Sequence, residues 1–357
     1  MVYQPNKAIH PGVTVQRALD SLGMTQKRLA ERTGLSEKHI SQIINGEASI
    51  TADTAFLLQN ALGGSASFWL NLDKNYRETL AKLEQEQRAA EEVELAKRHP
   101  YLELKKRGFV KDTRDSIEKV LELWKFYGVN SLESVQLTES VAWRRGATEQ
   151  VNVEFLAAWL RCGELGAKDV ASKVEIQEFN DTKLKALIPK LRAYTNENGN
   201  FWNKVVNDLA SAGVILTAVE HFKGTRANGA MRWIGDNPVI QLSAYGKNAD
   251  GVWFSLMHEI GHILKHGRKQ KHISFVKGKE KSPTENEADA FASETLIPQK
   301  DFDLFVVRGD FSQENIRLFA EAQGIDPGIV VGRLKISGII DFRDHTGMHR
   351  KLKIEAS

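Results

Sequence analysis

The chain of 357 residues carries 49 Lys and Arg against 46 Asp and Glu, which gives a formal net charge of +3. A chain of this length is expected to form two or three domains, each large enough for its own core. The near balance of charges excludes a strongly basic surface, so any nucleic-acid binding must depend on a local patch. No apolar run approaches the roughly eighteen residues of a membrane-spanning helix, so we expect no membrane insertion.

Two further features of the sequence predict a cytoplasmic protein. The single cysteine, Cys162, excludes an internal disulfide and suits a reducing compartment. The first residues, Met1 to Lys7, contain no apolar segment typical of a secretory signal.

The chain opens with three short predicted helices, each bounded by a residue suited to cap or stop a helix. They are Val13–Leu22 (ended by Gly23), Gln26–Thr33 (capped by Thr25, ended by Gly34) and Glu37–Ile44 (capped by Ser36). Two short helices joined by a glycine-containing turn predict a helix-turn-helix. Further helices are predicted over Thr51–Leu62 and from Ser65 onward.

The outward face of the third helix carries the candidate DNA contacts. We expect Lys38, His39 and Gln42 to contact base edges and Gln26 to lie near a phosphate. The other candidates on this face are Ser36, Glu37 and Ser41. The alternative is a helix-turn-helix used only for protein contacts, since Glu31, Glu37 and Glu47 dilute the local positive charge.

Several short motifs of this region occur together in one family. They are Ile9-His-Pro-Gly, Met24-Thr-Gln-Lys-Arg-Leu-Ala, Ile43-Ile-Asn-Gly and Phe68-Trp-Leu-Asn-Leu. Over about residues 5–78 the chain resembles the HigA-type antitoxin branch of the Cro-like (XRE) helix-turn-helix family. The resemblance implies binding to a double-stranded DNA operator as a homodimer, with a toxin protein as a further possible partner.

The middle of the chain is predicted to be helical and offers no constellation of chemically active residues. Tyr76–Lys106 is rich in Glu, Lys, Arg and Ala, which indicates a long solvated helix or linker that Pro100 breaks. Such a segment is also a candidate for self-cleavage. Amphipathic segments follow at Ser116–Tyr127, Val153–Leu165, Leu184–Tyr194 and Phe201–Ala212. Trp143-Arg144-Arg145 is either a sensor contact or a Trp packed beneath Arg side chains.

A small sheet is predicted next. Val214–Val219 is rich in β-branched residues, and Ala230–Ile234 and Val239–Ser243 flank a turn-forming segment, so these two indicate a hairpin. We expect the second hairpin strand, which leads into the following helix, to have a free edge that pairs with an extended peptide.

The segment Trp253–His266 predicts a buried helix that carries the pattern His-Glu-x-x-His. Residues four apart share a helix face, so His258 and His262 can direct two imidazoles at one metal ion. Glu259 is rotated about 100° from His258, which suits a general base better than a ligand. Gly267 is the expected left-handed stop of this helix.

A third metal ligand is expected on the next predicted helix, between Ser282 and Pro298. Glu285 is the candidate, because a catalytic zinc usually has three protein ligands and an open water position. Asp289 lies one turn further on and is expected to accept the outer N–H of a zinc-bound histidine. Glu287 lies off that face, and His266 is interpreted as a cleft-wall or packing residue. The alternative is a buried helix whose histidines are satisfied by hydrogen bonds.

The two helices together follow the pattern of thermolysin-like proteases, and their sequence resembles one family in particular. Trp253-Phe-Ser-Leu-Met-His-Glu-Ile-Gly-His and Glu285-x-x-Ala288-Asp289-x-Phe291-Ala292 are similar to segments of the ImmA/IrrE metallo-endopeptidases. The resemblance covers about residues 205–345 and implies a cytosolic zinc peptidase that cleaves a transcriptional repressor. One departure is Asp289, where that family often has Asn.

We therefore expect a mainly α fold with a small β-sheet: an all-α helix-turn-helix domain, a helical middle region and an α+β zincin-like domain. The expected boundaries are 1–75 (helix-turn-helix), 76–110 (charged helical linker), 111–210 (helical middle domain), 211–345 (metallopeptidase domain) and 346–357 (basic tail). Two helices, Ser312–Gln323 and Ile329–Ile339, are expected after Pro298.

The predicted function is a DNA-binding regulator with one Zn²⁺ per chain, held by His258, His262 and Glu285, and with Glu259 as the general base. Its substrate is expected to be a helix-turn-helix repressor or the chain itself. The additional oxyanion donor is expected among Tyr245, Arg226, His221 and His272. The alternatives are a HigA-like repressor or antitoxin whose metal site senses zinc or stabilises the fold, and a toxin-binding antitoxin.

Overall fold

The computed structural model describes residues 7–135, 152–197, 201–220, 222–225, 227–243, 248–267, 272–275 and 282–351. The backbone divides into two compact units, residues 1–94 with 113–121 and residues 95–112 with 122–357. Helices dominate both, and the described strands form a four-stranded sheet. This confirms the predicted fold class. Among the described residues, no helix combines the length and apolar character needed to cross a membrane.

The first unit opens with five helices whose N-termini are capped mainly by side chains. They are α1 (Gly12–Leu22), α2 (Gln26–Thr33), α3 (Glu37–Ile44), α4 (Ala52–Leu62) and α5 (Ala66–Glu91). Thr25, Ser36, Thr51 and Ser65 each accept a hydrogen bond from a backbone N–H three residues later. These local signals explain why the bounds of α2 and α3 agree with the prediction.

The core of this unit is formed by the apolar faces of its helices. Leu19, Leu29, Ile40 and Leu58 are all buried within it. Gly23 and Gly34 end α1 and α2 in the left-handed conformation. The second and third helices therefore meet at the short turn that the sequence predicts.

The charged segment 76–106 follows the prediction in part. The predicted break at Pro100 is present, because Pro100 is the N-cap of the helix Tyr101–Lys106 and the preceding helix ends at Ala96. An additional break, which was not predicted, follows Glu91 at the end of α5. Ala89 and Leu104 are fully buried, so tertiary packing, and not only proline, sets these boundaries. The helices that follow are α6 (Val93–Ala96), α7 (Tyr101–Lys106), α8 (Ser116–Tyr127), α9 (Val153–Lys173), α10 (Asp181–Ala193) and α11 (Trp202–Ser211). The segment 143–145 lies outside the described residues.

The sheet of the second unit mixes parallel and antiparallel strands. Its strands are β1 (Ile215–Ala218), β2 (Ala227–Ile234), β3 (Asn237–Leu242) and β4 (His272–Phe275), in the order β1-β3-β2-β4. The predicted β2–β3 hairpin is confirmed. The predicted free edge of β3 is wrong, because β1 pairs with it in parallel through Ile215 and Val239. On the far side of the hairpin, β4 lies at the edge of the sheet.

One helix, α12 (Ala249–Lys265), lies at the centre of the second unit. Trp253, Met257 and Ile260 are buried in the core, and the ring of Trp253 stacks on Phe201 with the centroids 5.1 Å apart. The helices around and after it are α13 (Pro283–Leu296), α14 (Gln299–Arg308), α15 (Gln313–Gln323) and α16 (Pro327–Ile336). Sequence reasoning missed α14.

Both ends of α12 differ from expectation. The predicted left-handed stop at Gly267 is wrong: the helix ends at Lys265, and His266 follows in an extended conformation with φ −117° and ψ 106°. At the other end, residues near the C-terminus pack against the first turn. The backbone N–H of Ala249 donates to the carbonyl of Arg350 at 2.7 Å, and Nδ1 of His349 lies 3.0 Å from Oδ1 of Asp250.

A glycine permits the close contact between α12 and α13. A Cβ atom at Gly261 would lie 3.1 Å from Cδ1 of Phe291 and 3.3 Å from the Cα of Ala288. Both distances are shorter than ordinary van der Waals contacts between carbon atoms. The absence of a side chain at Gly261 therefore sets how near the two helices lie.

We predict that Gly261→Val lowers the free energy of unfolding by about 1–3 kcal/mol, because the added atoms overpack this helix contact. The matched control is Gly251→Val on the same helix, where a Cβ atom meets nothing within 4 Å. That change should stay within about 0.5 kcal/mol. Urea unfolding of both variants checks the prediction, and equal losses would contradict it.

Candidate functional site

Three side chains from α12 and α13 converge in the second unit. Nε2 of His258 lies 3.0 Å from Nε2 of His262. The carboxylate of Glu285 completes the triangle, with Oε2 at 3.3 Å from Nε2 of His258 and Oε1 at 3.1 Å from Nε2 of His262. The ligand atoms of these residues all lie within 4.8 Å of one another.

The spacing of these atoms fits a small divalent cation. With metal–ligand bonds of about 2.0–2.2 Å, tetrahedral coordination separates neighbouring ligand atoms by roughly 3.3–3.6 Å. The two imidazole nitrogens are 3.0 Å apart and lie 3.3 and 3.1 Å from the two oxygens of Glu285, at or slightly below that range. Two imidazole nitrogens and a carboxylate are also a ligand set of catalytic zinc sites. The residues present therefore fit a zinc ion.

The outer nitrogen of His258 is held by a carboxylate. Its Nδ1 lies 2.8 Å from Oδ1 of Asp289, the residue predicted to orient a histidine. Burial disfavours the imidazolium, but Asp289 and Glu285 outweigh it and raise the pKa of His258 to about 10. The two carboxylates thus make this place strongly favourable for positive charge.

The charges of the other two groups differ. Burial lowers the pKa of His262, which favours its neutral form. Burial raises the pKa of Glu285, but the hydrogen bonds and charge interactions with His258 and His262 outweigh burial. The pKa of Glu285 is therefore well below its usual value, and the carboxylate stays anionic. A neutral imidazole and an anionic carboxylate are the forms in which these groups bind a metal.

His262 is held differently from His258, and sequence reasoning missed the arrangement. Its Nδ1 lies 3.0 Å from Nδ1 of His266, and Nε2 of His266 lies 3.1 Å from Oε2 of Glu287. From the sequence, His266 is expected to be a cleft-wall or packing residue, and Glu287 is expected to lie off the ligand face. The available signal was the helical spacing, since His266 follows His262 by the same four residues that separate His258 from His262.

Glu259 is fully buried beside these residues. Its Oε1 accepts a hydrogen bond from Oγ of Ser274 on β4 at 2.7 Å, and its Oε2 has no hydrogen-bond partner among the described residues. Burial raises the pKa of Glu259 to about 7. A carboxylate with a pKa near neutrality can both take up and release a proton.

A second glycine makes room for this carboxylate. A Cβ atom at Gly229 on β2 would lie 2.4 Å from Oε1 of Glu259. Ser274 is paired with Gly229 across the β2–β4 ladder. The adjacent strands β2 and β4 therefore both contact the carboxylate of Glu259.

The predicted oxyanion donors remain predictions. Tyr245, Arg226 and His221 lie outside the described residues. His272 belongs to β4 by its backbone, but its side chain is outside what the structure describes.

The predicted DNA contacts lie on α3 and at the start of α2. Ser36, Glu37 and Lys38 are exposed, whereas Gln26, His39, Ser41 and Gln42 are partly exposed. Oγ of Ser36 accepts the backbone N–H of His39 at 3.1 Å, which leaves its own hydroxyl hydrogen available to a phosphate. The exposed face of this helix is therefore polar, as its sequence predicts.

Comparisons with known proteins identify both parts of the chain. The sequence profile of the helix-turn-helix family matches residues 15–69, and that of the IrrE N-terminal-like domain (peptidase family M78) matches residues 215–335. Virulence-associated protein I of Dichelobacter nodosus is 37% identical over 70 residues, 19% of this chain and 65% of that protein. Antitoxin HigA-1 of Vibrio cholerae serotype O1 is 43% identical over 54 residues, 15% of this chain and 50% of that protein.

A solved structure is also similar. An addiction module antidote protein of a HigA family from Coxiella burnetii is 33% identical, and the match covers 24% of this chain and 95% of that one with a TM-score of 0.23. The chain spans between half and two-thirds of the length of these curated relatives.

We predict that Gly229→Ala lowers the free energy of unfolding by about 1–3 kcal/mol, because the new methyl group overlaps the carboxylate of Glu259. In a Glu259→Ala background the same substitution should cost less than about 0.5 kcal/mol, since the obstacle is gone. Urea unfolding of the two single variants and the double variant measures this coupling. Equal costs in both backgrounds would show that Gly229 does not seat Glu259.

Proposed function

The chain carries a helix-turn-helix domain and an IrrE N-terminal-like domain of peptidase family M78, and we propose that it is a DNA-binding regulator with a zinc-dependent endopeptidase activity. The observation that carries the proposal is the convergence of His258, His262 and Glu285 beside the buried carboxylate of Glu259. A cytoplasmic location is part of this proposal, because the helix-turn-helix domain implies access to operator DNA.

The proposed roles follow from the contacts of each residue. His258, His262 and Glu285 would hold one zinc ion per chain, and Asp289 would orient His258 through its outer nitrogen. When bound, zinc supplies Lewis acidity that polarises the scissile carbonyl and makes water a better nucleophile. Glu259 would remove a proton from the attacking water and return it to the leaving amine.

We propose a binding place for a substrate segment that the strand arrangement supports. Because β3 is internal, β4 is the edge strand next to Glu259, and its Ser274 contacts that carboxylate. An extended peptide that adds to β4 by backbone hydrogen bonds would run past the general base. We therefore assign substrate binding to β4, with specificity set by side chains on alternate positions of the peptide.

We propose that the substrate is a helix-turn-helix repressor or this chain itself. Fusion of the two activities would place the peptidase near operator-bound proteins, at an effective concentration of about millimolar for a flexible connection. Self-cleavage in the segment 76–106 would require local unfolding, since α5 is helical and Leu104 is buried. A separate repressor with an extended cleavage site is the better fit. Cleavage would relieve repression.

The DNA-binding part is proposed to bind an operator as a homodimer through α3. The helix-turn-helix domain supports DNA binding, and Lys38, His39 and Gln42 are the proposed base contacts. The similarity to Antitoxin HigA-1 supports a second candidate function, an antitoxin or repressor that binds a toxin and uses the metal site only as a sensor or stabiliser. A buried base such as Glu259 has no role in that alternative.

We predict that the purified protein binds one zinc ion per chain. When zinc is supplied, it should cleave itself or a repressor encoded by a neighbouring gene. His258→Ala, His262→Ala and Glu285→Gln should lose the metal, because each removes or weakens a ligand. Glu259→Gln should keep the metal and lose cleavage, because the base contacts water and not the metal. Metal analysis and mass spectrometry of the products measure the two effects separately.

The matched control for these variants is Glu294→Gln, which lies on the same helix as Glu285. It should keep both metal and cleavage. If Glu285→Gln retains zinc and Glu287→Gln does not, the ligand assignment is wrong. If zinc binds but Glu259→Gln regulates normally in cells, the sensor function replaces the peptidase.

We predict that Gln42→Ala weakens binding to the cognate operator by about 1–3 kcal/mol, because a side-chain amide can recognise a base edge through two hydrogen bonds. Binding to random DNA should change little. Titrations at fixed salt measure both affinities. An equal loss on both duplexes would assign Gln42 to the DNA backbone, and no binding to any duplex at low salt would exclude operator recognition.

A further inference from the structure

The two proposed metal-binding histidines are supported in different ways. His258 contacts the carboxylate of Asp289 directly, with 2.8 Å between Nδ1 and Oδ1. His262 contacts another imidazole, that of His266, and this ring contacts the carboxylate of Glu287. The second arrangement is a three-residue chain that begins at a metal ligand and ends at the surface.

Metal binding would fix the direction of every hydrogen bond in this chain. A histidine that offers the lone pair of Nε2 to a metal carries its hydrogen on Nδ1. Nδ1 of His262 then donates to Nδ1 of His266 across 3.0 Å. Because Nδ1 of His266 accepts, its hydrogen lies on Nε2, which donates to Oε2 of Glu287 across 3.1 Å. All four ring nitrogens of His262 and His266 then have a partner, with both imidazoles neutral and Glu287 ionised.

The backbone explains how His266 reaches this position. Its N–H still donates to the carbonyl of His262 at 3.0 Å, but its own φ and ψ, −117° and 106°, are extended. The residue therefore leaves the helix one turn after His262, with its ring against the ring of the ligand. The ring centroids are 5.0 Å apart.

We propose that His266 is a positioning residue for the metal ligand His262, and that Glu287 orients His266. The proposal rests on the metal site of the proposed function, because it concerns the hydrogen bond behind one of its ligands. His266 fixes the tautomer and the rotation of the His262 ring, which brings Nε2 toward Glu285. Such outer contacts typically contribute about 10–100-fold to metal affinity.

The difference in burial between His266 and Glu287 predicts which of the two contributes more to metal affinity. The side chain of His266 is 6% exposed, whereas that of Glu287 is 63% exposed. Water competes for the hydrogen bond of Glu287 and screens its charge. The loss of His266 should therefore weaken metal binding more than the loss of charge at Glu287.

The test measures zinc affinity by competition with a chromophoric chelator, so it does not depend on proteolysis. His266→Phe keeps a buried ring but removes the acceptor, and it should weaken zinc binding by about 10–100-fold. His266→Asn places an amide oxygen at the same bond distance from Cα as Nδ1, so it should restore part of the affinity. The matched control is His99→Phe, which removes another buried imidazole, one bonded to Oη of Tyr127, and it should bind zinc as wild type does.

A second pair of variants tests Glu287, the exposed end of the hydrogen-bonded series His262–His266–Glu287. Glu287→Gln should weaken zinc binding by only a few-fold, because the group is largely exposed. Glu294→Gln on the same helix should have no effect. Since both residues are exposed, these variants fold even if His266→Phe does not.

A spectroscopic measurement separates positioning from a general loss of stability. In the cobalt-substituted protein, the visible absorption of Co²⁺ reports the geometry of its ligands, so His266→Phe should alter the spectrum and His99→Phe should not. Wild-type affinity and an unchanged spectrum in His266→Phe would overturn the proposal while leaving the metal site intact. Failure of the wild-type protein to bind zinc would instead overturn the metal site and this proposal together.

Discussion

The structure of the second unit depends on the burial of a polar cluster between two closely packed helices. His258, Glu259 and His262 are all buried on α12, and burying such groups is unfavourable unless each finds a partner. For the two histidines these partners include Glu285 and Asp289 on α13, whereas Glu259 is bonded by Ser274 on β4. The helix α13 comes near enough because Gly261 has no side chain. The requirement for polar partners and the requirement for close helix contact are therefore met by the same interface.

The rest of the unit holds α12 in place. Its apolar face packs against the sheet and against α16, with Trp253 stacked on Phe201. Its first turn is held by a backbone hydrogen bond from the N–H of Ala249 to the carbonyl of Arg350. Two strands, β2 and β4, close over Glu259. A helix with contacts on several sides can keep its polar groups within about 0.5 Å of a fixed arrangement, which metal chemistry requires.

The parts of this arrangement that sequence could predict are those set by local periodicity. His258 and His262 share a face because they are four residues apart, and the same spacing placed Glu285 and Asp289 together. The caps at Thr25 and Ser36 fixed the bounds of the helix-turn-helix for the same reason. The parallel pairing of β1 with β3 was not predictable, because it joins strands that are not adjacent in sequence. The role of β4 was missed because its sequence, His-Ile-Ser-Phe, has a single β-branched residue, whereas the equally short β1 lies in a run rich in them.

His266 was within reach of the same reasoning. The periodicity that identified His258 and His262 extends one more turn, and the predicted helix Trp253–His266 includes His266. Because the expected motif ends at His262, only a cleft-wall or packing role was predicted for His266. The structure shows a helix that ends earlier, at Lys265, with an extended residue after it. The four-residue spacing places His266 near His262, but its contact with Glu287 depends on where the helix ends, which the spacing does not determine.

The arrangement also bears on whether a metal here would be structural or catalytic. Structural zinc sites usually close the coordination with four protein ligands, whereas catalytic sites use three and keep a position for water. Among the described residues, the group that could hold a metal has three members, His258, His262 and Glu285. The nearby His266 is not a member of this group, and its Nδ1 lies 3.0 Å from Nδ1 of His262. Beside the three stands Glu259, a buried carboxylate whose Oε2 has no partner in the described part of the chain. Burial of such an atom is unfavourable for stability, so its presence favours a function in which it contacts a reacting water.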